Sequence, residues 1–196
     1  MNRAVFLDRD GVITQEPPYY AHKLSQLELI PKSADAIRLL NESGVVVVVA
    51  CNQAGIARGY YREKDAILFN QAMKEKLAKD GAVIDAIYYC PHHPEAKIEK
   101  YRIDCNCRKP KPGMLTRAEK ELNIDLNQSY VVGDKLSDIE AGKRAGCKTI
   151  MVRTGHGVEE LKNNYIECNH VADDLYDAVE HILYLSQLTL RRAILS

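Results

Sequence analysis

Residues 8–12 (Asp-Arg-Asp-Gly-Val) place two carboxylates at the end of the first apolar run, residues 4–7. Side chains alternate along a strand, so Asp8 and Asp10 should point to the same side, about 7 Å apart along the chain. Like charges this close repel, and a hard cation or a shared proton would relieve the repulsion. Gly11 lets the backbone turn away sharply, although Asp and Gly also favour ordinary exposed turns. The motif therefore indicates either a metal site or a solvated turn.

Three later segments carry polar groups near points where strands are expected to end or helices to begin. They are residues 51–54 (Cys-Asn-Gln-Ala), residues 133–135 (Gly-Asp-Lys) with Asp138 nearby, and the pair Arg108-Lys109. In parallel α/β sheets, ligands collect at the carboxyl ends of the strands. We therefore expect these segments to meet around the first motif.

Asp8, Asp10 and Asp134 together would form an oxygen-rich site suited to Mg²⁺, which binds a few carboxylates together with water and phosphate. Lys109 could neutralise a phosphate beside them as a compact point charge. Each residue alone is a weak indicator, because an Asp at a strand end is more often a helix N-cap. Their joint placement favours a metal-assisted site for a phosphate-bearing molecule.

A second metal site is predicted by four residues that form a C-x-H pair and a C-x-C pair: Cys90, His92, Cys105 and Cys107. Three thiolates and one imidazole complete a tetrahedral Zn²⁺ site with no open position, so the zinc would be structural. It would hold the loop at about residues 90–107, which is rich in Pro, Lys and His and lacks periodicity. The alternatives are buried thiols with a solvated His92, or His93 as the ligand.

Alternating strand and helix patterns connect these segments. Continuous apolar, β-branched runs predict strands at residues 45–50, 84–89, 130–132 and 149–152. Helical periodicity predicts helices at residues 33–41, 62–79, 113–122 and 137–145. The alternation predicts an α/β fold of three layers, doubly wound around a mainly parallel sheet. A chain of 196 residues without a linker fits one domain over residues 1–196.

The composition excludes several classes of function. The 27 acidic and 27 basic residues balance to zero net charge without a basic stripe, so nucleic-acid binding has no electrostatic support. No run approaches the length of a membrane span, and the N-terminus enters the first strand without a secretory hydrophobic region. The six cysteines then suit metal binding or free thiols. We expect a cytoplasmic monomer that acts on a small molecule, with no nucleic-acid or membrane partner.

Taken in order, the polar motifs resemble those of the haloacid dehalogenase (HAD) superfamily of phosphohydrolases, over roughly residues 3–175. The resemblance implies that Asp8 attacks phosphorus to form an aspartyl-phosphate, and that Asp10 acts as general acid and then as general base. Mg²⁺ would be held by Asp8, the backbone carbonyl of Asp10, and Asp134. Lys109 would hold the phosphate and the Asp8 carboxylate together.

Cys51 departs from the superfamily pattern. The superfamily has Thr or Ser at this position, where the hydroxyl donates to the phosphoryl oxygens, and a thiol is a much weaker donor. Either the backbone N–H groups around Asn52 do most of the phosphate binding, or the enzyme turns over more slowly because it has Cys in place of Thr or Ser.

Two loop segments narrow the resemblance. Residues 90–94 (Cys-Pro-His-His-Pro) and 105–110, together with residues 52–59, look like the D-glycero-D-manno-heptose 1,7-bisphosphate 7-phosphatases. That family removes the 7-phosphate of a heptose bisphosphate on the route to lipopolysaccharide core or nucleotide-activated heptoses, and the match favours His92 over His93 as zinc ligand. The similar histidinol-phosphate phosphatases share the zinc loop and the acidic motifs, and another small sugar phosphate is a further alternative. The longer zinc loop favours the heptose branch.

The resemblance implies no large cap domain, and the short spacing between residues 17 and 24 leaves no room for a helical insert. Loops would then select the substrate. The residues expected to contact it are Glu16, Pro17, Pro18, Tyr19, Cys51, Asn52, Gln53, Ala54, Arg108, Lys109 and Lys135. The planar fork of Arg108 suits a second phosphate or sugar hydroxyls. Lys135 is expected to pair with Asp8 or with the phosphate.

The sequence leaves functions of other classes open. A non-catalytic, zinc-stapled binding module would not need Asp8, Asp10, Lys109 and Asp134 together. A receiver domain shares the carboxylates, Mg²⁺ and a Lys, but it lacks the zinc loop, whereas a phosphotransferase shares all of the chemistry. The C-terminal segment, residues 184–196, is expected to pack on its own chain rather than between chains.

Overall fold

A six-stranded sheet forms the centre of the fold. The computed structural model describes residues 1–17 and 20–195, with side chains described as far as residue 188. Pro18 and Tyr19, predicted to contact the substrate, lie outside the described residues. The strands are β1 (Ala4–Leu7), β2 (Val46–Asn52), β3 (Ala86–Cys90), β4 (Tyr130–Gly133), β5 (Lys148–Val152) and β6 (His170–Ala172).

The strand order is β3-β2-β1-β4-β5-β6, and each neighbouring pair is parallel. The chain therefore winds outward from β1 in one direction and from β4 in the other. Where the winding reverses, the two connecting loops leave in opposite directions and open a crevice at the carboxyl edge of the sheet. The polar segments that follow β1, β2 and β4 all reach this edge.

Helices cover both faces of the sheet. They are α1 (Ser33–Glu42), α2 (Ala54–Ala57), α3 (Glu63–Ala78), α4 (Gly113–Leu122), α5 (Leu136–Ala145), α6 (Gly157–Asn163) and α7 (Leu175–Leu195). Val5 and Leu7 pack with apolar residues of α1, α3 and α7, whereas Ala4 and Phe6 pack with those of α4 on the opposite face. Because both faces are covered, the strands appear as continuous apolar runs. The predicted three-layer α/β fold is confirmed.

The predicted elements are present, with boundaries shifted by at most two residues. β3 begins two residues later than predicted, because the carboxylate of Asp85 accepts a hydrogen bond from the Val47 N–H (2.7 Å) and replaces a strand contact there. The sequence does not predict β6, since a strand of three residues is too short to show a pattern. It also does not predict α6, which has a single buried residue, Gly157.

The C-terminal segment continues α7. Arg3 Nη1 donates to Ser186 Oγ (2.7 Å), so the described part of the segment packs on its own chain as expected. Between β1 and α1 the described residues form one short 3₁₀ helix, Leu24–Gln26, and the cleft is bordered by loops. Among the residues described, no helix combines the length and the apolarity that crossing a membrane requires.

Candidate active site

A cleft of about 650 Å³ opens at the carboxyl edge of the sheet, where the winding reverses. Its walls include Asp8, Asp10, Asn52 and Lys109, which lie far apart in the sequence. Arg9 lies between the two aspartates in the chain, and its side chain is fully buried. Asp8 and Asp10 both line the cleft, so the predicted orientation of the two carboxylates toward one side agrees with the structure.

Asp8 lies against a buried ammonium group. Lys109 Nζ is 3.0 Å from Asp8 Oδ1, and the backbone N–H of Arg9 donates to the same oxygen (2.9 Å). Burial works against ionisation of Asp8, but the ammonium groups of Lys109 and Lys135 outweigh it and lower the pKa of this carboxyl. Asp8 is therefore an ionised carboxylate, as a nucleophile must be.

Lys109 is fixed at both its side chain and its backbone. Its Nζ contacts Asp138 Oδ1 (2.5 Å) and donates to the Ala50 carbonyl (2.6 Å). The amide of Asn52 donates to the Lys109 carbonyl (3.0 Å) and accepts from the Lys109 N–H (3.1 Å). Asn52, predicted to bind substrate, thus lies on the cleft wall with its amide engaged in holding this lysine.

Three carboxylates meet beside Lys109. Oxygens of Asp8, Asp134 and Asp138 lie within 4.8 Å of one another, and all three residues are buried. Burial raises the pKa of Asp134 to about 8 and that of Asp138 to about 6. Asp134 Oδ1 is buried without a hydrogen-bond partner among the described residues. An orphaned carboxylate oxygen among like charges fits a hard cation such as Mg²⁺.

Two glycines allow the backbone to approach Asp134 closely. Gly11 (φ +88°) and Gly155 (φ +59°) both adopt left-handed conformations, so the sharp turn predicted at Gly11 is present. A Cβ atom at either position would lie 2.3 Å from Asp134 Oδ2, closer than any side chain tolerates. The same oxygen accepts the His156 backbone N–H (2.9 Å), which orients the carboxylate.

Asp10 is held from behind by hydrogen-bond donors. Arg9 Nε and Nη2 contact its two oxygens at 3.0 and 2.8 Å. Gln53 Nε2 donates to Oδ2 (3.2 Å) and Thr14 Oγ1 donates to Oδ1 (3.1 Å). Gln53, predicted to contact substrate, is 1% exposed and lies behind Asp10 rather than on the cleft wall.

Cys51 lies in the protein interior at the end of β2. Cys51 was predicted to act in catalysis and to contact substrate, but it is not among the residues of the cleft wall: it is 1% exposed and packs in the apolar cluster beneath α1 and α3. Burial raises the pKa of its thiol to about 12, so the sulfur is a neutral S–H group. A neutral thiol is a poor nucleophile.

The rim of the cleft carries a mixed set of charges. Lys135 Nζ lies 2.8 Å from Glu16 Oε2 and 3.9 Å from Asp134 Oδ2, so its ion-pair partners within the protein differ from the predicted Asp8. Glu16 also contacts His156 Nε2 (3.1 Å). Pro17, Ala54 and Arg108 line the cleft as predicted, together with Tyr20, Arg58, Tyr60, Ser137 and His156, which the sequence analysis did not single out. Of these five residues, only Arg58 could have been found from the sequence, because it lies within residues 52–59, a segment that the sequence analysis had singled out.

The four predicted zinc ligands converge at the base of the loop that carries Lys109. Cys105 Sγ is 3.4 Å from Cys90 Sγ and 3.0 Å from Cys107 Sγ, and Cys107 Sγ is 3.5 Å from His92 Nδ1. The hydrogen bond from Cys90 is the main cause that lowers the pKa of Cys107 to about 5. His93 instead accepts the Glu95 N–H at its Nδ1 (3.1 Å), which distinguishes the two histidines.

The chain is similar to known phosphatases over most of its length. A family model described as HAD-hydrolase-like matches residues 106–178. A D-glycero-beta-D-manno-heptose-1,7-bisphosphate 7-phosphatase from Pasteurella multocida is 45% identical over 178 residues, which cover 90% of this chain and 95% of the relative. An alpha-D-manno counterpart from Photorhabdus laumondii is 41% identical over 170 residues, covering 86% and 92%.

A solved structure shares the fold. The D,D-heptose 1,7-bisphosphate phosphatase from B. bronchiseptica, complexed with magnesium and phosphate, matches with a TM-score of 0.85 at 34% identity. The match covers 93% of this chain and 98% of that chain. From its motifs, its fold and these relatives, the chain belongs to the D-glycero-D-manno-heptose-1,7-bisphosphate 7-phosphatase family of HAD-like hydrolases.

Proposed function

We propose that this chain is a Mg²⁺-dependent phosphatase that hydrolyses the 7-phosphate of D-glycero-D-manno-heptose 1,7-bisphosphate and leaves heptose 1-phosphate. The observation that carries the proposal is the ionised Asp8 carboxylate, held 3.0 Å from the Lys109 ammonium at the cleft wall. A nucleophile beside a fixed positive charge suits attack on a phosphate, because the charge attracts the phosphoryl oxygens. The product supplies lipopolysaccharide core or nucleotide-activated heptose synthesis.

The reaction proceeds in two displacements. Asp8 attacks phosphorus, the bond to O7 of the sugar breaks, and Asp10 gives its proton to the departing oxygen. Asp10 then takes a proton from water as the water attacks the aspartyl-phosphate, which releases phosphate and restores Asp8. Phosphate monoesters require acceleration of up to ~10²¹-fold, so charge neutralisation must supplement nucleophilic attack. Lys109 provides part of that neutralisation from this chain's own residues.

Mg²⁺ is the proposed cofactor of this step. Asp8, Asp134 and the backbone carbonyl of Asp10 are the proposed ligands, and Asp138 lies close by. When bound, the ion neutralises charge on the transferring phosphoryl group. The orphaned Oδ1 of Asp134 supports the proposal, because it has no other partner among the described residues.

The rim supports recognition of a second phosphate. Arg58, Arg108 and Lys135 bring positive charge to the cleft wall. Arg108 Nη1 donates to the His92 carbonyl (3.3 Å), so the zinc loop orients its guanidinium. We assign Arg108 to the 1-phosphate, which sits at the far end of the sugar from the reacting phosphate.

We propose that Zn²⁺ is bound by Cys90, His92, Cys105 and Cys107. Their donor atoms lie within 4.8 Å of one another, as a four-coordinate site requires. All six cysteines are free, which agrees with a reducing compartment, and we propose a single-domain cytoplasmic monomer.

The substrate assignment is tested by phosphate release with Mg²⁺ from a panel of esters. The panel contains both heptose bisphosphate anomers, heptose 7-phosphate, fructose 1,6-bisphosphate and histidinol phosphate. We expect a heptose bisphosphate to show the highest kcat/KM. Arg108→Ala should lower kcat/KM for it roughly 10–100-fold, the equivalent of one charge-assisted contact, and lower that for heptose 7-phosphate much less. Arg38→Ala, on the exposed face of α1, is the control; equal losses on both substrates would remove the recognition role.

Substitutions of the two aspartates should impair catalysis in different ways. Asp8→Asn removes the nucleophile and should abolish turnover. Asp10→Asn removes the acid and should lower kcat roughly 10²–10⁴-fold while substrate binding is retained. Steady-state kinetics and calorimetric binding measure the two effects, with exposed Asp35→Asn as control. Wild-type kcat in Asp10→Asn would contradict the assigned roles.

Cys51→Thr should keep or raise turnover, because the charges of Asp8 and Lys109 act on the buried thiol and a hydroxyl at that position would donate to a phosphoryl oxygen better than a thiol does. A gain of about 2–10-fold in kcat corresponds to one neutral hydrogen bond. Cys51→Val has the shape of Thr without the hydroxyl and should show no gain. A large loss of kcat in Cys51→Thr would reveal a role for the thiol.

Cys107→Ser should lose zinc, because a hydroxyl replaces a thiolate ligand. Metal analysis of the purified protein should find about one zinc per wild-type chain, the stoichiometry of a four-ligand site. Activity should fall with the zinc, since Arg108 and Lys109 follow this loop directly. Cys168→Ser changes a cysteine outside the cluster and should keep the metal. Zinc-free wild-type protein with full activity would contradict the site.

A further inference from the structure

Arg9 is a buried guanidinium that neither the nucleophile nor the proposed metal ligands require. It is 0% exposed, although arginine is rarely buried without a partner. Besides its contacts with Asp10, three of its hydrogen bonds reach three other segments of the chain: Nη1 donates to Asn70 Oδ1 (2.8 Å), and Nη2 donates to the Ala21 carbonyl (2.9 Å) and to Gln53 Oε1 (3.1 Å). Removing this charge from water costs free energy, so we expect the buried guanidinium to have a role that offsets this cost.

The guanidinium is held in one plane. Its carbon lies 4.5 Å from the centre of the Phe69 ring in α3, and the ring face supports the flat cation. Because the guanidinium is planar and cannot lose its proton, it presents a fixed fork of donors. The fork faces Asp10, whose two oxygens lie 3.0 and 2.8 Å from Nε and Nη2.

Gln53 completes the fork. Tyr61 Oη donates to Gln53 Oε1 (2.7 Å), the oxygen that also accepts from Arg9. With its oxygen engaged twice, the amide must turn its NH₂ group toward Asp10, where Nε2 lies 3.2 Å from Oδ2. The orientation of Gln53 therefore depends on Arg9 and Tyr61 together.

We infer that Arg9 is a positioning residue that sets where the Asp10 carboxyl stands during proton transfer to the leaving oxygen. Arg9 fixes the position of Asp10 relative to α3 and to the loop after β2. Lys109 fixes the position of Asp8, and Lys109 itself contacts Asp138 and is held by Asn52. The two reacting aspartates thus have separate supports, and a change at Arg9 should disturb the acid without disturbing the nucleophile. This inference rests on the proposed function.

Leaving-group dependence separates this role from a structural one. The ratio kcat/KM reports the steps up to departure of the alcohol, which here is formation of the aspartyl-phosphate. A sugar alkoxide needs a proton from Asp10, whereas p-nitrophenolate leaves without one. Displacing the acid should therefore affect the sugar phosphate only, and general acid catalysis contributes roughly 10²–10⁴-fold.

The test compares wild type, Arg9→Lys and Arg9→Met with the preferred sugar phosphate and with p-nitrophenyl phosphate. Lys keeps the charge but not the planar fork, and Met keeps similar bulk without either. We expect both variants to lower kcat/KM for the sugar phosphate at least about tenfold more than for p-nitrophenyl phosphate. A rapid burst of p-nitrophenol should also appear, because displacing Asp10 slows the hydrolysis of the aspartyl-phosphate, the step in which Asp10 acts as general base.

Equal losses on the two esters would overturn the inference, and so would wild-type kinetics in Arg9→Lys and Arg9→Met. Leu115→Ala, a core change beneath α4, controls for lost stability and should leave the ratio of the two kcat/KM values unchanged. If neither Arg9 variant folds, Gln53→Leu provides the test, because it removes one hydrogen-bond donor to Asp10. This variant should shift the ratio of the two kcat/KM values in the same direction by a smaller factor. An unchanged ratio in Gln53→Leu would overturn the inference. Absence of Mg²⁺-dependent phosphate release from every ester by wild type would instead refute the proposed function.

Discussion

The contact of the Lys109 ammonium with Asp8 and Asp138 is the interaction on which the rest of the site depends. Three carboxylates are buried within a few ångströms of one another, and one ammonium partly balances them. A buried charge without its partner costs several kcal/mol, so neither side of this pair is stable without the other. The remaining negative charge is what makes a divalent cation fit, and burial together with the neighbouring carboxylates raises the pKa values of Asp134 and Asp138.

The topology of the sheet brings these charges together. β1 and β4 are neighbours although about 125 residues separate their starts, and Asp8 and Asp134 follow their carboxyl ends. β2 on the other side of β1 brings Asn52 to the backbone of Lys109. The reversal of winding leaves an open crevice there, because the connections that follow β1 and β4 lead to opposite sides. The positive φ of Gly11 then lets the loop pass close to Asp134.

The reacting groups are supported by two different parts of the structure. Lys109 and Asp8 are anchored to β2 and α5, and the Cys/His cluster lies directly before the lysine in the chain. Asp10 is anchored to α3 through the buried Arg9. In the proposed reaction, the substrate would lie between the Lys109–Asp8 pair and the separately held Asp10, with Arg58, Arg108 and Lys135 on the cleft wall.

The sequence by itself determined the fold class, the family and the charged residues at the centre of the cleft. Periodicity identified the central strands, and the motif spacing placed Asp8, Asp10, Lys109 and Asp134 at strand or helix ends, because both signals are local. The sequence likewise predicted the cluster of four Cys/His residues, because they occur as two closely spaced pairs in the chain. The packing of Val5 and Leu7 on one face and Phe6 on the other agrees with the continuous apolar runs.

Only the tertiary structure decided which side chain pairs with which. Lys135 lies against Glu16, Gln53 lies behind Asp10, and Asn52 holds the Lys109 peptide. Arg9 looked like an unremarkable residue between two aspartates, yet its partners come from residues 21, 53 and 70. Such pairings depend on the distances among loops that are remote in the chain, and the charge of a residue does not reveal which opposite charge will be nearest after folding.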